Sequence, residues 1–272
     1  MQIDVLEATV LGTVQGITEF LPVSSRAHLI LVPWLLGWPD PGLTFDVALH
    51  LGTLAALLIY FYKDWIHLTR SAFRIFKNDP DDTDARLALY IILATIPGGI
   101  AGMLFESLED QFSTPTVIAV MLIAIALLMR FAEISGRRKT ELETMRLSDA
   151  MTVGVAQAFA IIPGVSRSGV TITAGLFRGM TRKAAAQFSF LLSAPIVAGA
   201  VVKKVMDIAA EGLPAGQSAS FAVGIIVSAL WGVISIAAMM RYLQTRNTFV
   251  FINYRIGLGI TVLILGYFAG LH

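Results

Sequence analysis

The sequence predicts an all-α polytopic membrane protein: an inverted-topology repeat with six transmembrane helices and two re-entrant helical hairpins. Composition is the first observation that supports this fold class. Of 272 residues, 56% are hydrophobic and 14% are charged, and the mean hydropathy is +0.74. Soluble domains carry about 25% charged residues. The other two observations are a series of long apolar segments and an internal similarity between the two halves of the chain.

Composition also excludes several classes of function. The formal net charge is only +1, so nothing indicates nucleic-acid binding. The chain has no cysteine, which excludes disulfides, iron–sulfur clusters and thiol-based phosphatase chemistry. Residues 1–7 lack the basic region that opens a cleavable signal peptide, so the N-terminus is expected to remain.

Each apolar segment is predicted to be helical, because backbone polar groups in lipid must be bonded internally. Two of the segments are long and interrupted. Pro22 removes a backbone donor in the first, and Pro163 does so in the fifth, where Gly164 adds conformational freedom. The segments lie at about 8–36, 45–62, 87–105, 116–132, 150–178, 186–202, 220–240 and 250–269.

The two halves of the chain resemble each other. Residues 11–15 are similar to 153–157, and a proline and a serine cluster follow in both halves; with a one-residue gap, 45–49 parallels 188–192. Ordinary membrane-helix composition is the alternative explanation. We predict one membrane domain, 1–272, with a site where the repeats meet. Its parts are repeat one at about 1–132 with a hairpin at 8–36, and repeat two at about 148–270 with a hairpin at 150–178.

Charge distribution indicates that the interrupted segments do not cross the membrane. If both are re-entrant, fifteen Lys and Arg side chains lie in loops on one face and two on the other. If both span, the division is twelve against five. The positive-inside rule favours the first arrangement. Both termini then lie outside the cytoplasm, and the hairpins enter from opposite sides so that their tips meet at mid-membrane.

Polar side chains gather around the first break. Gln15 and Glu19 are four residues apart and share a helix face. After the break, Ser24 or Ser25 is expected to cap the next helix. His28 follows one turn later, so hydroxyl and imidazole are expected to converge. Ionisable side chains within a membrane indicate a functional site.

The second break carries a serine cap and an arginine. Ser166 is the expected cap, and Arg167 then lies in the first turn, where a cation opposes the helix dipole. This arrangement suggests that an anion binds there, because helix N-termini bind phosphate through free amides. Two facing N-termini with Arg167 predict an oligophosphate site.

Each of these residues also has a structural explanation. In that explanation, Arg167 pairs with Glu19 and the serines serve only as helix caps. His28 is then a buried histidine whose ring nitrogens are hydrogen-bonded within the protein. Arg26 reaches water or a lipid headgroup. Asp46 and His50 begin the second segment, and the sequence does not decide whether they face the cavity.

These motifs resemble the BacA/UppP family of undecaprenyl pyrophosphate phosphatases, over essentially the whole chain. The resemblance is carried by Gln15 and Glu19, by Phe-Leu-Pro-Val-Ser-Ser at 20–25 with His28, and by Pro-Gly-Val-Ser-Arg-Ser-Gly-Val-Thr at 163–171. It implies removal of the terminal phosphate of undecaprenyl diphosphate, which recycles the carrier for peptidoglycan synthesis and confers bacitracin resistance. It also implies a divalent cation, Mg²⁺ or Ca²⁺, and a site that opens on the periplasmic side of the bacterial inner membrane.

The expected site combines both hairpins. Ser25 is the candidate nucleophile with His28 as base and then acid; alternatively, His28 attacks directly or activates water. The family often has glutamate where this chain has Gln15, which cannot be a charged metal ligand, so Glu19 must take more of that role. The expected catalytic residues are Ser25, His28, Glu19 and Arg167, with Glu19 also holding the metal, and the expected substrate-binding residues are Gln15, Ser24, Ser166, Ser168, Thr171 and Gly164.

A polyprenyl-phosphate transporter or flippase is the main rival function, because inverted repeats with broken helices are typical of transporters. The two functions are also compatible in one protein. A homodimer is a further possible arrangement, since small residues such as Gly98, Gly99 and Gly224 suit helix packing within or between protomers.

Overall fold

The computed structural model describes residues 3–72, 82–105, 112–211 and 216–268, and these residues form a helical protein. Within these ranges we number the helices in chain order. They are α1 Val5–Thr18, α2 Ser25–Leu36, α3 Leu43–Tyr60, α4 Tyr62–Ala72, α5 Thr83–Phe105, α6 Pro115–Ser135, α7 Leu147–Ala158, α8 Arg167–Phe177, α9 Arg182–Glu211, α10 Ser218–Tyr242 and α11 Phe249–Phe268. The last residues of predicted repeat two, 269–270, lie outside the described part of the chain.

Six of the described helices are long and apolar enough to cross a membrane. These are α3, α5, α6, α9, α10 and α11, with apolar spans of 18 to 27 residues. A helix rises 1.5 Å per residue, so about 20 residues match the hydrocarbon core. The prediction of an all-α polytopic membrane protein is confirmed.

The two interrupted segments each form a pair of short helices. The pairs are α1 with α2 and α7 with α8, and each helix has between 11 and 14 residues. At 1.5 Å per residue, each is about 16–21 Å long, which is too short to cross a core of about 30 Å. The members of each pair pack against each other, as the predicted re-entrant hairpins require.

Matched contacts join the two halves of the chain. A Cβ atom on Gly12 would lie 2.7 Å from the Gly224 carbonyl oxygen, so α1 packs closely on α10. At the equivalent position of the second hairpin, Gly154 packs closely on Ala94, which brings α7 against α5. Each hairpin therefore packs on a long helix of the other predicted repeat. These contacts support the repeat, whose boundaries stay a prediction.

The small residues named for helix packing divide into two kinds. A side chain at Gly98 would meet Ile196, and one at Gly224 would meet Leu49, so both glycines pack within the chain. Gly99 faces open space. The homodimer remains a prediction.

A buried arginine holds the two hairpin tips together. Arg255 on α11 is fully buried. Its guanidinium donates to the carbonyl oxygens of Pro22 at 3.1 Å, Gly164 at 2.7 Å and Val165 at 3.2 Å, and its Nε donates to Leu122 at 3.2 Å. Pro22 belongs to the first tip, and Gly164 and Val165 belong to the second. The predicted meeting of the tips is thus observed, and α11 provides the clamp.

We expect Arg255→Leu to lower the thermal unfolding midpoint of the protein in detergent substantially. The substitution leaves several buried carbonyl groups without a donor, and each such loss costs about 1–3 kcal/mol. Circular dichroism during heating provides the measurement. Arg246→Leu is the matched control, because Arg246 is exposed just before α11 and should change stability by less than about 0.5 kcal/mol. Equal midpoints for the two variants would contradict the role of Arg255.

Candidate functional site

The buried carboxylate of Glu19 lies at the centre of the site. Glu19 directly follows α1, and its side chain is only 5% exposed. Its Oε2 accepts hydrogen bonds from Gln15 Nε2 at 3.0 Å and from Ser25 Oγ at 2.5 Å. Its Oε1 accepts from Arg167 Nη2 of the second hairpin. The pairing of Glu19 with Arg167, which the sequence left as one alternative, is therefore observed, and Ser25 joins it.

Serine and threonine side chains of the second hairpin make further hydrogen bonds within the protein. Ser168 Oγ donates to the Leu21 carbonyl at 3.0 Å, which joins the second hairpin to the first. Ser166 Oγ accepts from an amide in the first turn of α8. Thr171 Oγ1 lies 2.6 Å from Ser189 Oγ of α9. These three predicted substrate-binding residues are buried and bonded within the protein.

The cap residues of α2 and α8 have the same unusual backbone. Ser24 has φ 75° and Ser166 has φ 71°, and each side chain accepts a hydrogen bond from the helix that follows. Non-glycine residues in such regions cost of order 1–3 kcal/mol and cluster at functional sites. The turn brings the next residue of each helix, Ser25 and Arg167, to the Glu19 carboxylate.

The expected convergence of His28 with the Ser25 hydroxyl is wrong. His28 Nδ1 donates to the Ser24 carbonyl at 2.7 Å, and Nε2 lies 2.7 Å from the hydroxyl of Tyr254. The two rings are stacked, 5.7 Å apart. The bond one turn back along α2 directs the imidazole towards α11, whereas Ser25 Oγ donates to Glu19. Glu19, not His28, is therefore the group that contacts the Ser25 hydroxyl.

Helix α3 forms another wall of the site. His50 Nε2 lies 3.6 Å from Glu19 Oε2, and His50 Nδ1 donates to the Asp46 carbonyl at 2.8 Å. The Asp46 carboxylate accepts from Arg26 at 2.7 Å. The sequence did not decide whether this part of α3 faces the cavity, and the structure places His50 beside Glu19.

A narrow recess opens beside the Glu19 carboxylate and the Arg167 guanidinium. Its other walls come from α3, through Thr53, and from α9, through Ser193. Arg167 Nη1 also donates to the Ser193 carbonyl at 3.4 Å. The site therefore lies where the two hairpin tips meet one long helix from each half of the chain.

The residues of the site fit a hard cation only if a ligand completes its coordination. In the described ranges, no group of three or more His, Cys, Asp or Glu side chains could hold a metal. Glu19 offers a carboxylate, and the Gln15 Oε1 atom is buried without a hydrogen-bond partner. Mg²⁺ prefers oxygen ligands and is often held by one or two carboxylates together with substrate phosphates. Glu19 and Gln15 match that mode.

The sequence reasoning missed Tyr254 and Arg255. Both lie within the apolar segment predicted at 250–269; Tyr254 contacts His28 of the first hairpin, and Arg255 contacts the hairpin tips. An arginine within an apolar segment is itself a signal of function. That signal would have marked Arg255, whereas a half-exposed tyrosine in a membrane helix carries none.

Comparison with known proteins identifies the family. A family model described as "Bacitracin resistance protein BacA" matches residues 8–261, which include both hairpins. An undecaprenyl-diphosphatase of Geotalea daltonii is 48% identical over 266 residues, covering 96% of this chain and 98% of the relative. One of Geobacter sulfurreducens is 47% identical with coverage of 96% and 97%. One of Moorella thermoacetica is 47% identical with coverage of 93% and 94%.

We expect glycine to be tolerated better than alanine at the two strained caps. Ser24→Ala and Ser166→Ala lose the cap bond and keep the strained backbone, at a cost of about 1 kcal/mol from the cap alone. Ser24→Gly and Ser166→Gly lose the same bond but adopt the positive φ freely. Thermal midpoints in detergent should therefore be lower for each alanine variant than for the glycine variant at that position. The reverse order at both positions would show that the turns are not strained.

Proposed function

The chain belongs to the family of the bacitracin resistance protein BacA, and we propose that it hydrolyses undecaprenyl diphosphate at the hairpin tips. It is an undecaprenyl-diphosphate phosphatase, which removes the terminal phosphate and leaves undecaprenyl phosphate. The contact of Ser25, Arg167 and Glu19 carries the assignment of the site, because it unites a hydroxyl, a phosphate-binding cation and a proton acceptor. The alternative of a polyprenyl-phosphate transporter is not favoured.

Arg167 is the main phosphate-binding side chain in this proposal. Phosphoryl transfer depends mostly on positioning and on stabilising the equatorial oxygens. A guanidinium donates two parallel hydrogen bonds to a phosphate, and the first-turn amides of α2 and α8 add donors and a favourable dipole. Arg167 is 18% exposed on the recess, so its donors are accessible to a ligand there.

Binding of the terminal phosphate also prepares Glu19 to accept a proton. Arg167 donates to Glu19 in the free protein. A phosphate beside Arg167 competes for the guanidinium, so the Glu19 carboxylate regains lone pairs that can accept a proton or bind the cation. Ser25 Oγ already donates to Glu19 at 2.5 Å. Substrate binding and activation of the hydroxyl are thereby linked.

The reaction then has two steps. Ser25 Oγ attacks the terminal phosphorus and its proton passes to Glu19, while the bond from that phosphorus to the bridging oxygen breaks and undecaprenyl phosphate leaves. Water next attacks the phosphorus of the phosphoserine, and the bond from that phosphorus to Ser25 Oγ breaks. Glu19 returns its proton to Ser25 Oγ, and inorganic phosphate departs with both protons of the water. Splitting one difficult displacement into two easier ones is the general advantage of a covalent intermediate.

His28 supports this arrangement in the proposal by fixing the turn before Ser25. Its Nδ1 holds the carbonyl of Ser24, whose backbone is strained, and its Nε2 is engaged by Tyr254. Direct attack by His28, or activation of water by it, requires Nε2 to leave the Tyr254 hydroxyl. Ser25 requires no such rearrangement.

A divalent cation, Mg²⁺ or Ca²⁺, is part of the proposal. Glu19 and Gln15 Oε1 would hold it together with the phosphates of the substrate, as their chemistry allows. When bound, the cation would neutralise the charge of the phosphate oxygens.

The proposed location is the bacterial inner membrane, with the site open on the periplasmic side. The Lys and Arg residues of the loops favour a cytoplasmic position for the end of α3, so its first turns lie towards the periplasm. Asp46 and His50 are in those turns. Hydrolysis there would recycle the carrier lipid of peptidoglycan synthesis and protect it from bacitracin.

We expect the purified protein to release inorganic phosphate from a C15 or C55 prenyl diphosphate in detergent. Glu19→Gln and Arg167→Ala should each lower kcat/KM by about 100-fold or more, since each removes a preorganised charge at the reacting group. Glu143→Gln and Arg246→Ala, which change exposed residues, are the matched controls and should keep the wild-type rate.

Ser25→Ala tests the nucleophile in the same assay and should lose activity to the same extent. Circular dichroism verifies that each variant is folded. Failure of the folded wild-type protein to release phosphate would overturn the function. Wild-type rates in Glu19→Gln would overturn the site, and wild-type rates in Ser25→Ala would leave water or His28 as the attacking group.

We expect EDTA to abolish phosphate release and Mg²⁺ or Ca²⁺ to restore it. Gln15→Glu should lower the cation concentration that gives half-maximal activity, because it adds a second carboxylate beside Glu19. Gln244→Glu, at an exposed position, is the control and should not change that concentration. Full activity in EDTA would exclude the cation from the mechanism.

A further inference from the structure

Arg26 is the one cation of the first hairpin that the mechanism above does not use. It directly follows Ser25 in the first turn of α2. Its Nη1 donates to Asp46 Oδ2 at 2.7 Å, and the two side chains are 25% and 8% exposed. The dipole of α2 disfavours a cation at this position. Asp46 offsets that cost, and part of the guanidinium still reaches the surface.

Helix α3 fixes the position of Arg26 relative to the reacting groups. Asp46 and His50 are one turn apart, which corresponds to about 6 Å along the helix axis. His50 lies beside Glu19, and Asp46 lies beside Arg26. Arg26 therefore sits about one helical turn from the Glu19 carboxylate, on the side where α3 begins.

The two hairpins supply an arginine in the same way. Each has a serine cap with positive φ and an arginine in the next turn, and each arginine is paired with a carboxylate from another part of the chain. The pairs are Arg167 with Glu19 and Arg26 with Asp46. The Arg26 and Arg167 side chains are 25% and 18% exposed, so a phosphate can reach both guanidiniums.

We infer that Arg26 binds the phosphate that remains on the lipid after hydrolysis, while Arg167 binds the terminal phosphate. This inference rests on the proposed function and adds a specificity-determining residue to it. A diphosphate is the ligand that satisfies two cations spaced along one wall in this manner. Asp46 balances the charge of Arg26 in the free protein, and the retained phosphate competes with it for the guanidinium.

The inhibition constants of the two reaction products test the inference. Prenyl monophosphate carries only the retained phosphate, and inorganic phosphate represents only the terminal one. For Arg26→Gln, KM for C15 prenyl diphosphate and Ki for C15 prenyl monophosphate should both rise about tenfold or more, as the loss of a charge-assisted hydrogen bond predicts. Ki for inorganic phosphate should stay within about twofold, and kcat should change less than KM.

Two further variants separate ligand binding from a purely structural role. Asp46→Asn removes the ionic partner and keeps Arg26, so Ki for prenyl monophosphate should stay near the wild-type value or fall. A structural ion pair would instead make Asp46→Asn and Arg26→Gln equally defective. Arg26→Lys keeps the charge and should recover part of the affinity; it also replaces Arg26→Gln if that variant does not fold. Arg246→Gln is the exposed control.

The outcomes distinguish the inference from the function on which it rests. Absence of phosphate release by the wild-type protein would overturn both. Normal release with an unchanged Ki for prenyl monophosphate in Arg26→Gln would overturn the inference alone. If Arg26→Gln loses only a stimulation by vesicles containing anionic lipid, Arg26 binds a bilayer headgroup and the inference is also overturned.

Discussion

Two breaks in membrane-embedded helices leave carbonyl groups that neither helix can use, and these groups must be bonded inside the protein. Arg255 meets this requirement for both breaks at once, since its guanidinium reaches one carbonyl of the first tip and two of the second. The position of each hairpin is thereby defined relative to the other. The contact between Glu19 and Arg167, which joins the two hairpins, depends on that placement.

Glu19 is the point where structure and proposed chemistry overlap. In the free protein, its buried charge is balanced by Arg167 and by neutral donors on Gln15 and Ser25. A buried carboxylate without such partners would be costly. The same bonds hold the proposed nucleophile beside its proton acceptor. The stabilising ion pair with Arg167 and the proposed catalytic pair with Ser25 therefore share the Glu19 carboxylate. In the proposal, a phosphate that binds Arg167 weakens the first pair and leaves the second.

Local signals explain why much of this arrangement was predictable from the sequence. Pro22 and Pro163 mark the breaks, serine marks the caps, and a spacing of four residues places Gln15 beside Glu19. The orientation of His28 was not predictable, because its partner Tyr254 lies 226 residues away.

The partners of Arg255 were not predictable for a related reason. Its acceptors are backbone carbonyl oxygens, which every residue has, so no residue type in the sequence indicates them. Sequence patterns therefore predicted the elements and most members of the site, whereas the partners that orient them emerge only from packing between distant helices.

The Arg255 clamp has a consequence for how the hairpin tips can diverge during evolution. At the tips it contacts carbonyl oxygens of Pro22, Gly164 and Val165, and every amino acid carries such an oxygen. Exchanging the side chain at Val165 removes no acceptor. Inserting or deleting one residue in either tip would move the acceptors away from the guanidinium. The contacts of Arg255 therefore constrain the number of residues in each tip more strictly than the identity of their side chains.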